Sequence, residues 1–158
     1  MATFYGSNAT KRDNQTIPQL IPQGEAKGRK YIAFDSFTNA AAKSQNDVIK
    51  LMKLPAGARV INVIVNISAS LDASGGTVDI GWEANSVDAL DEDGFLANVD
   101  VTAAATFDML DDQGTRPGVF KKFSEVGGET QVSAIIDHSG GWDGTSGTLS
   151  VAVEYVID

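Results

Sequence analysis

Between Asp47 and Ser70 the chain alternates apolar and polar side chains with a period of two, and this stretch anchors the reading of everything around it. An apolar run ends at Leu54, Pro55-Ala-Gly57 follows, and then Ile61, Val63, Val65, Ile67 and Ala69 fall on one side. Asn62, Asn66, Ser68 and Ser70 fall on the other, which is the signature of a half-buried strand. Pro55 has no N–H and a fixed φ, and Gly57 tolerates positive φ, so the pair predicts a tight turn between two strands, a hairpin.

The same pattern recurs along the chain. Tyr31–Phe37 predicts a first strand, and residues 38–46 a polar loop or a single helical turn. Ala73-Ser-Gly-Gly76 predicts a turn and Thr77–Glu83 a strand with Val78, Ile80 and Trp82 inward and Asp79 and Glu83 outward. From 85 to 110 the periodicity lapses, predicting a long irregular stretch with a short helix at Val101–Leu110. Strand signal resumes at Val119–Phe123 and Thr130–Asp137, and Thr148–Ile157 places Leu149, Val151, Val153, Tyr155 and Ile157 on one face as a strand lying inside a sheet. Seven or eight strands separated by glycine turns predict an all-β fold, an antiparallel β-sandwich of jelly-roll type. No fixed-period repeat and no strand–helix alternation argues for another class.

The first thirty residues lack periodicity and carry Pro18, Pro22 and three glycines, which predicts an extended N-terminal arm over residues 1–30 and a sandwich domain over residues 31–158. Within the arm, Thr16-Ile-Pro-Gln-Leu-Ile-Pro22 is a short apolar segment suited to a groove or a sheet edge.

Composition sharpens this in a few places. A chain of 158 residues has one domain's worth of core, and without cysteine it has neither disulfides nor thiolate chemistry. No apolar run approaches a membrane span and the first residues lack a leader pattern, so the expectation is a soluble, unexported chain in which matches to the glycosylation sequon at Asn8, Asn14 and Asn66 are fortuitous. Charge is uneven: the arm holds five cations against two acids, +3, so the formal −9 of the whole leaves −12 on the rest. Between Val60 and Thr115 eleven acidic residues occur with no Lys or Arg, which argues against nucleic acid as a partner of that surface.

Chemistry-bearing constellations fail on spacing. The single histidine, His138, sits between Asp137 and Ser139, and adjacent residues cannot assemble a triad with one another. One imidazole is too few donors for zinc, and the Gly140–Gly144 loop lacks the lysine and the following helix of a phosphate site. Asp88, Asp91, Asp93 and Asp100 around Gly94 define a candidate calcium or partner loop, although an EF-hand alignment leaves Ala89 at its first position and Asp100 at its last. Trp82 is expected in the core, with a sugar-stacking platform at Trp82 or Trp142 as the sharper alternative. The expectation is therefore a non-enzyme with no cofactor.

The succession Asp47-Val-Ile-Lys-Leu-Met-Lys-Leu-Pro-Ala-Gly-Ala-Arg-Val-Ile-Asn-Val63, then Val78-Asp-Ile-Gly-Trp82, then Asp91-Glu-Asp-Gly-Phe-Leu96, resembles small virion proteins of tailed bacteriophages. The resemblance covers residues 30–157 as an order of elements and 47–96 as motif. It implies a jelly-roll decoration, or cement, protein: a homotrimer on the capsid surface of the virion, made in the host cytoplasm, that binds the major capsid protein and clamps neighbouring subunits. The arm residues it points to are Lys11, Arg12, Ile17, Pro18, Leu20, Ile21, Pro22, Arg29 and Lys30. It carries no catalytic residues and implies no membrane. A tail-knob or fibre-base protein and a carbohydrate-binding jelly roll are the alternatives.

Overall fold

In the computed structural model, residues 29–111, 117–143 and 146–157 are described, and they form eight strands and no helix. These are β1 (Tyr31–Thr38), β2 (Val48–Leu54), β3 (Ala58–Ile67), β4 (Thr77–Trp82), β5 (Asp91–Asp100), β6 (Ala105–Asp108), β7 (Thr130–Ile136) and β8 (Thr148–Ile157). Two four-stranded sheets result, ordered β1-β8-β3-β6 and β2-β7-β4-β5. Pairing is antiparallel and nested: β1 with β8, β2 with β7, β3 with β6 and β4 with β5. One long hairpin, wrapped so that successive strand pairs alternate between sheets, produces this order, and it is the jelly roll predicted from the strand pattern.

The core lies between the sheets. β3 and β8 cross its centre with Val63, Val65, Ile67, Leu149, Val151 and Val153, and β4 and β7 face them with Val78, Ile80, Val132, Ala134 and Ile136, all buried. Each inward set has the period-two spacing a sheet face requires. Tyr155 packs partly against this core, whereas Ile157 at the strand end is exposed.

The opening stretch folds differently from the expected hairpin. β2 and β3 lie in different sheets, so Pro55–Gly57 is a corner between layers. Gly57 adopts φ +78° and the Ala58 N–H bonds the Pro55 carbonyl at 3.1 Å, closing a turn with glycine at the position that needs a left-handed conformation. Inside β3 the register with β8 shifts between Val60 and Asn62, so Ile61 is an extra residue. This bulge inverts the parity: Ala58 and Val60 point inward before it, Val63, Val65 and Ile67 after it, and Ile61 stays half-buried. Ala69 lies beyond the strand and is exposed.

Two further expectations are corrected and an open one is decided. The irregular stretch 85–110 contains the ten-residue β5 and the short β6, and no helix forms at 101–110. Residues 38–46 hold no helical turn, but loop and bend structure with a β-bridge between Lys43 and Trp142. Val119–Phe123 is not a strand of the sheets: it makes one bridge, Arg59 to Lys122, and buries Phe123. In each case pairing across the sandwich, rather than local propensity, decides the conformation.

Candidate docking surface

The nested topology gathers the connections at two ends. At one end stand the β2–β3 corner, the β4–β5 loop (83–90) and the β6–β7 connection, together with Arg29 and Lys30, through which the chain enters β1. At the other stand the β1–β2, β3–β4, β5–β6 and β7–β8 connections. The far end is acidic, with Asp47, Asp72, Asp100, Asp137 and Asp143 against Lys43.

The entry end is built around Trp82. Its ring packs on Phe95 and Phe123 at centroid distances of 5.0 and 5.3 Å, and its Nε1 donates to the Ala89 carbonyl at 2.9 Å. Lys121 covers the ring at 5.7 Å and reaches Asp88 at 3.0 Å. Asp88 also accepts the Ser124 N–H at 2.9 Å and the Asn85 side-chain amide at 3.2 Å. Burial pushes the Asp88 carboxyl up, but the Ser124 N–H, Lys121 and Asn85 together hold it below the usual carboxylate value. Asn85 Oδ1 takes the N–H groups of Val87 and Asp88, and Ser86 Oγ donates to the Gly127 carbonyl at 3.2 Å.

These bonds fix two loops in one arrangement, and that arrangement turns apolar side chains outward. Val87, Leu90, Phe120 and Val126 are exposed there, Val126 at 83%, with Phe120 in a left-handed conformation at φ +55°. Tyr31, Ile32, Phe34 and Ile157 are also exposed, along the start of β1 and the end of β8. Exposed apolar side chains on such a frame are candidate contact residues.

The residues singled out from sequence distribute as follows. Arg29 and Lys30 stand at the apolar end, with Lys30 bonded to Glu154 at 2.8 Å; Lys11, Arg12, Ile17, Pro18, Leu20, Ile21 and Pro22 lie outside the described residues. The four acidic loop residues do not converge. Asp88 is held by the Lys121 contact, and Asp91 lies against Asp93 at the start of β5, its carboxyl raised by burial and then by that neighbour. Asp100 ends the same strand, where the Thr102 hydroxyl and N–H bond it at 2.6 and 2.8 Å and lower its carboxyl. Among the described residues no three His, Asp or Glu side chains group to hold a metal ion. Trp82 and Trp142 are both buried, at 3% and 1% exposure, so neither offers a face to a sugar and the stacking alternative loses its platform. Val87, Leu90 and Val126 escaped sequence reading because isolated apolar residues in loops have no period to betray them, and Phe120 falls in the segment whose pattern predicts a strand. Ile32 and Phe34 had a signal: Tyr31-Ile-Ala-Phe is apolar at both parities, which a one-face strand is not.

No family model matches the chain, and no curated protein matches it. Solved structures do. The fold is similar to a chain of the cyanophage Pam1 capsid asymmetric unit, with a TM-score of 0.60 and 17% identity over 83% of this chain and 86% of that one. It is similar to a chain in the capsid of Ralstonia phage GP4, with a TM-score of 0.61 and 18% identity over 82% and 85%. The acid-stable capsid of Helicobacter pylori bacteriophage KHP30 contains a third, with a TM-score of 0.51 and 21% identity over 81% and 87%. The likeness is one of fold: the two-sheet jelly roll of this chain is shared with chains of these phage capsids.

Proposed function

We propose that this chain is a virion structural protein of a bacteriophage, and within that role a decoration protein that binds the outer surface of the head and bridges major capsid subunits. One observation carries the reading. The match to phage capsid chains spans most of both partners, so the likeness is between whole domains of comparable length rather than a fragment of a larger one. In this reading the apolar end, where the chain enters through Arg29 and Lys30, faces the head, and the acidic end faces solvent. In the same reading the arm residues Lys11, Arg12, Ile17, Pro18, Leu20, Ile21 and Pro22 would add to that contact. Copies joined as a homotrimer would bind a repeating lattice with several arms at once, and effective concentration would make weak single contacts sufficient.

The test is co-sedimentation with undecorated heads. Full-length protein is expected to pellet with heads, while a variant lacking residues 1–30 stays folded and remains in the supernatant. Binding by that variant at wild-type strength would remove the arm from the mechanism; indifference of the full-length protein to heads would remove the decoration role.

A further inference from the structure

We propose that the edge and outer face of β1 are the surface through which copies of this chain associate, which deepens the reading above by naming the contact between copies. Exposed sheet edges template unwanted pairing, and proteins blunt them with bulges, lysines, prolines or short strands. Three of the four edges here are blunted. β2 has a bulge between Lys50 and Lys53 and carries both lysines. β5 is broken twice in its pairing with β4 and holds Asn98 in a left-handed conformation at φ +52°. β6 is four residues long.

β1 differs in every respect. Its eight residues pair with β8 in unbroken register from Tyr31↔Tyr155 to Thr38↔Thr148, and the strand contains no lysine or proline. Its other edge is unpaired among the described residues. Asp35, which takes the Ser36 N–H at 2.8 Å, is its single charge. No β1 residue is buried, and Ile32 and Phe34 are 61% and 65% exposed on the outer face. The register sets Phe34 beside Ala152 and Ala152 beside Ile64, so an apolar strip runs inward from this edge. Such an edge is built to be covered.

Charge decides by what. A chain of formal charge −9 repels its own copies over most of its surface. The second sheet and its margins carry Asp79, Glu83, Asp91, Glu92 and Asp93 against Lys50 and Lys53. Around the β1 strip the signs balance: Lys30 and Arg59 accompany Glu154 and Asp108, and Lys30 is bonded to Glu154. A cationic partner would be drawn to the acidic sheet, whereas a second copy meets least repulsion here, beside the exposed Ile32 and Phe34.

The experiment measures the mass of the full chain by light scattering and sedimentation velocity across concentration, for wild type, Ile32→Glu, Phe34→Glu and, on the other sheet, Val48→Glu. Wild type is expected to self-associate, each β1 variant to raise the dissociation constant at least about tenfold, and Val48→Glu to leave it unchanged. Wild-type β1 amides should also gain hydrogen-exchange protection with concentration, a readout that survives any folding defect in the variants. A wild type that is monomeric throughout, β1 variants of wild-type mass, or equal disruption by Val48→Glu overturns the proposal. Head binding on the same samples separates the two readings: self-association without head binding sinks the decoration role and leaves this contact standing.

Discussion

At the scale of single residues, the Trp82 cluster is where packing and charge meet. Gly94 lies so close to the Trp82 ring that a Cβ there would run into it, and the ring is held by Phe95, Phe123 and its own bond to Ala89. Gly94→Ala is therefore expected to destabilise by about 1–3 kcal/mol, read as a lower urea midpoint with an unchanged slope. The acidic side chains act in opposite senses. Asp88 has a lowered carboxyl, so it contributes stability above the unfolded value near pH ~3.9, lost as pH falls through its folded value. Asp79 is raised, first by burial and then by Asp137, Asp93 and Glu92, against the Asn98 N–H that bonds it at 2.7 Å. Its ionised form is disfavoured in the fold, so it opposes stability at neutral pH and is relieved as pH falls through its raised value. Asp79→Asn should accordingly stabilise at pH 7 and cease to do so below about pH 4, whereas Asp88→Asn should destabilise at pH 7 and converge on wild type in acid. Parallel pH titrations of urea stability for the two variants distinguish these signs; the same direction for both would refute the assignment.

At the scale of elements, β3 shows how one extra residue redirects a strand. The sequence alternation places Ile61 inward, but the bulge hands that position to Val60, which is fully buried. Val60→Thr is expected to cost about 1–3 kcal/mol, because it puts a hydroxyl in an apolar core, and Ile61→Thr less than about 1 kcal/mol. Equal losses in chemical denaturation would place the parity change elsewhere. The residues on either side of the bulge were legible in advance, since Val63, Val65 and Ile67 are inward as their spacing predicts. The bulge itself was not, because nothing local marks it; it arises where β3 must follow the twist of β8. β5 was illegible for a related reason. Its Asp-Glu-Asp-Gly start has poor strand propensity, and it is a strand because β4 supplies an edge and Trp82 and Gly118 hold Phe95 and Gly94 in place.

At the scale of the whole molecule, the nested pairing makes nearly every strand contact non-local: β1 meets β8, and β2 meets β7. Loop-closure entropy must be met before those contacts stabilise anything, so folding belongs to the slow range of milliseconds to seconds. Both tryptophans are buried, so stopped-flow fluorescence reports the event directly; refolding within microseconds would contradict this topology. The same topology sorts the surface. Sending alternate connections to opposite ends separates an apolar end, where the chain enters, from an acidic one, and among the described residues it leaves the β1 edge unpaired.

The amino-acid pattern by itself determined the class of fold, because period-two alternation and glycine turns depend only on neighbours in the chain. It also determined which central strand positions face the core, Trp82 among them, whereas the burial of Trp142 came only with the packed loops. It left open the sheet to which each strand belongs. That is why Pro55–Gly57 looked like a hairpin turn and is a corner between layers, and why the Asp-rich segment looked like a loop and is an edge strand. Only the tertiary structure decided those matters, and with them the docking surface. Pairing partners more than a hundred residues apart, such as Tyr31 and Tyr155, leave no mark on one another's local sequence; their contact is a property of the packed sheets alone.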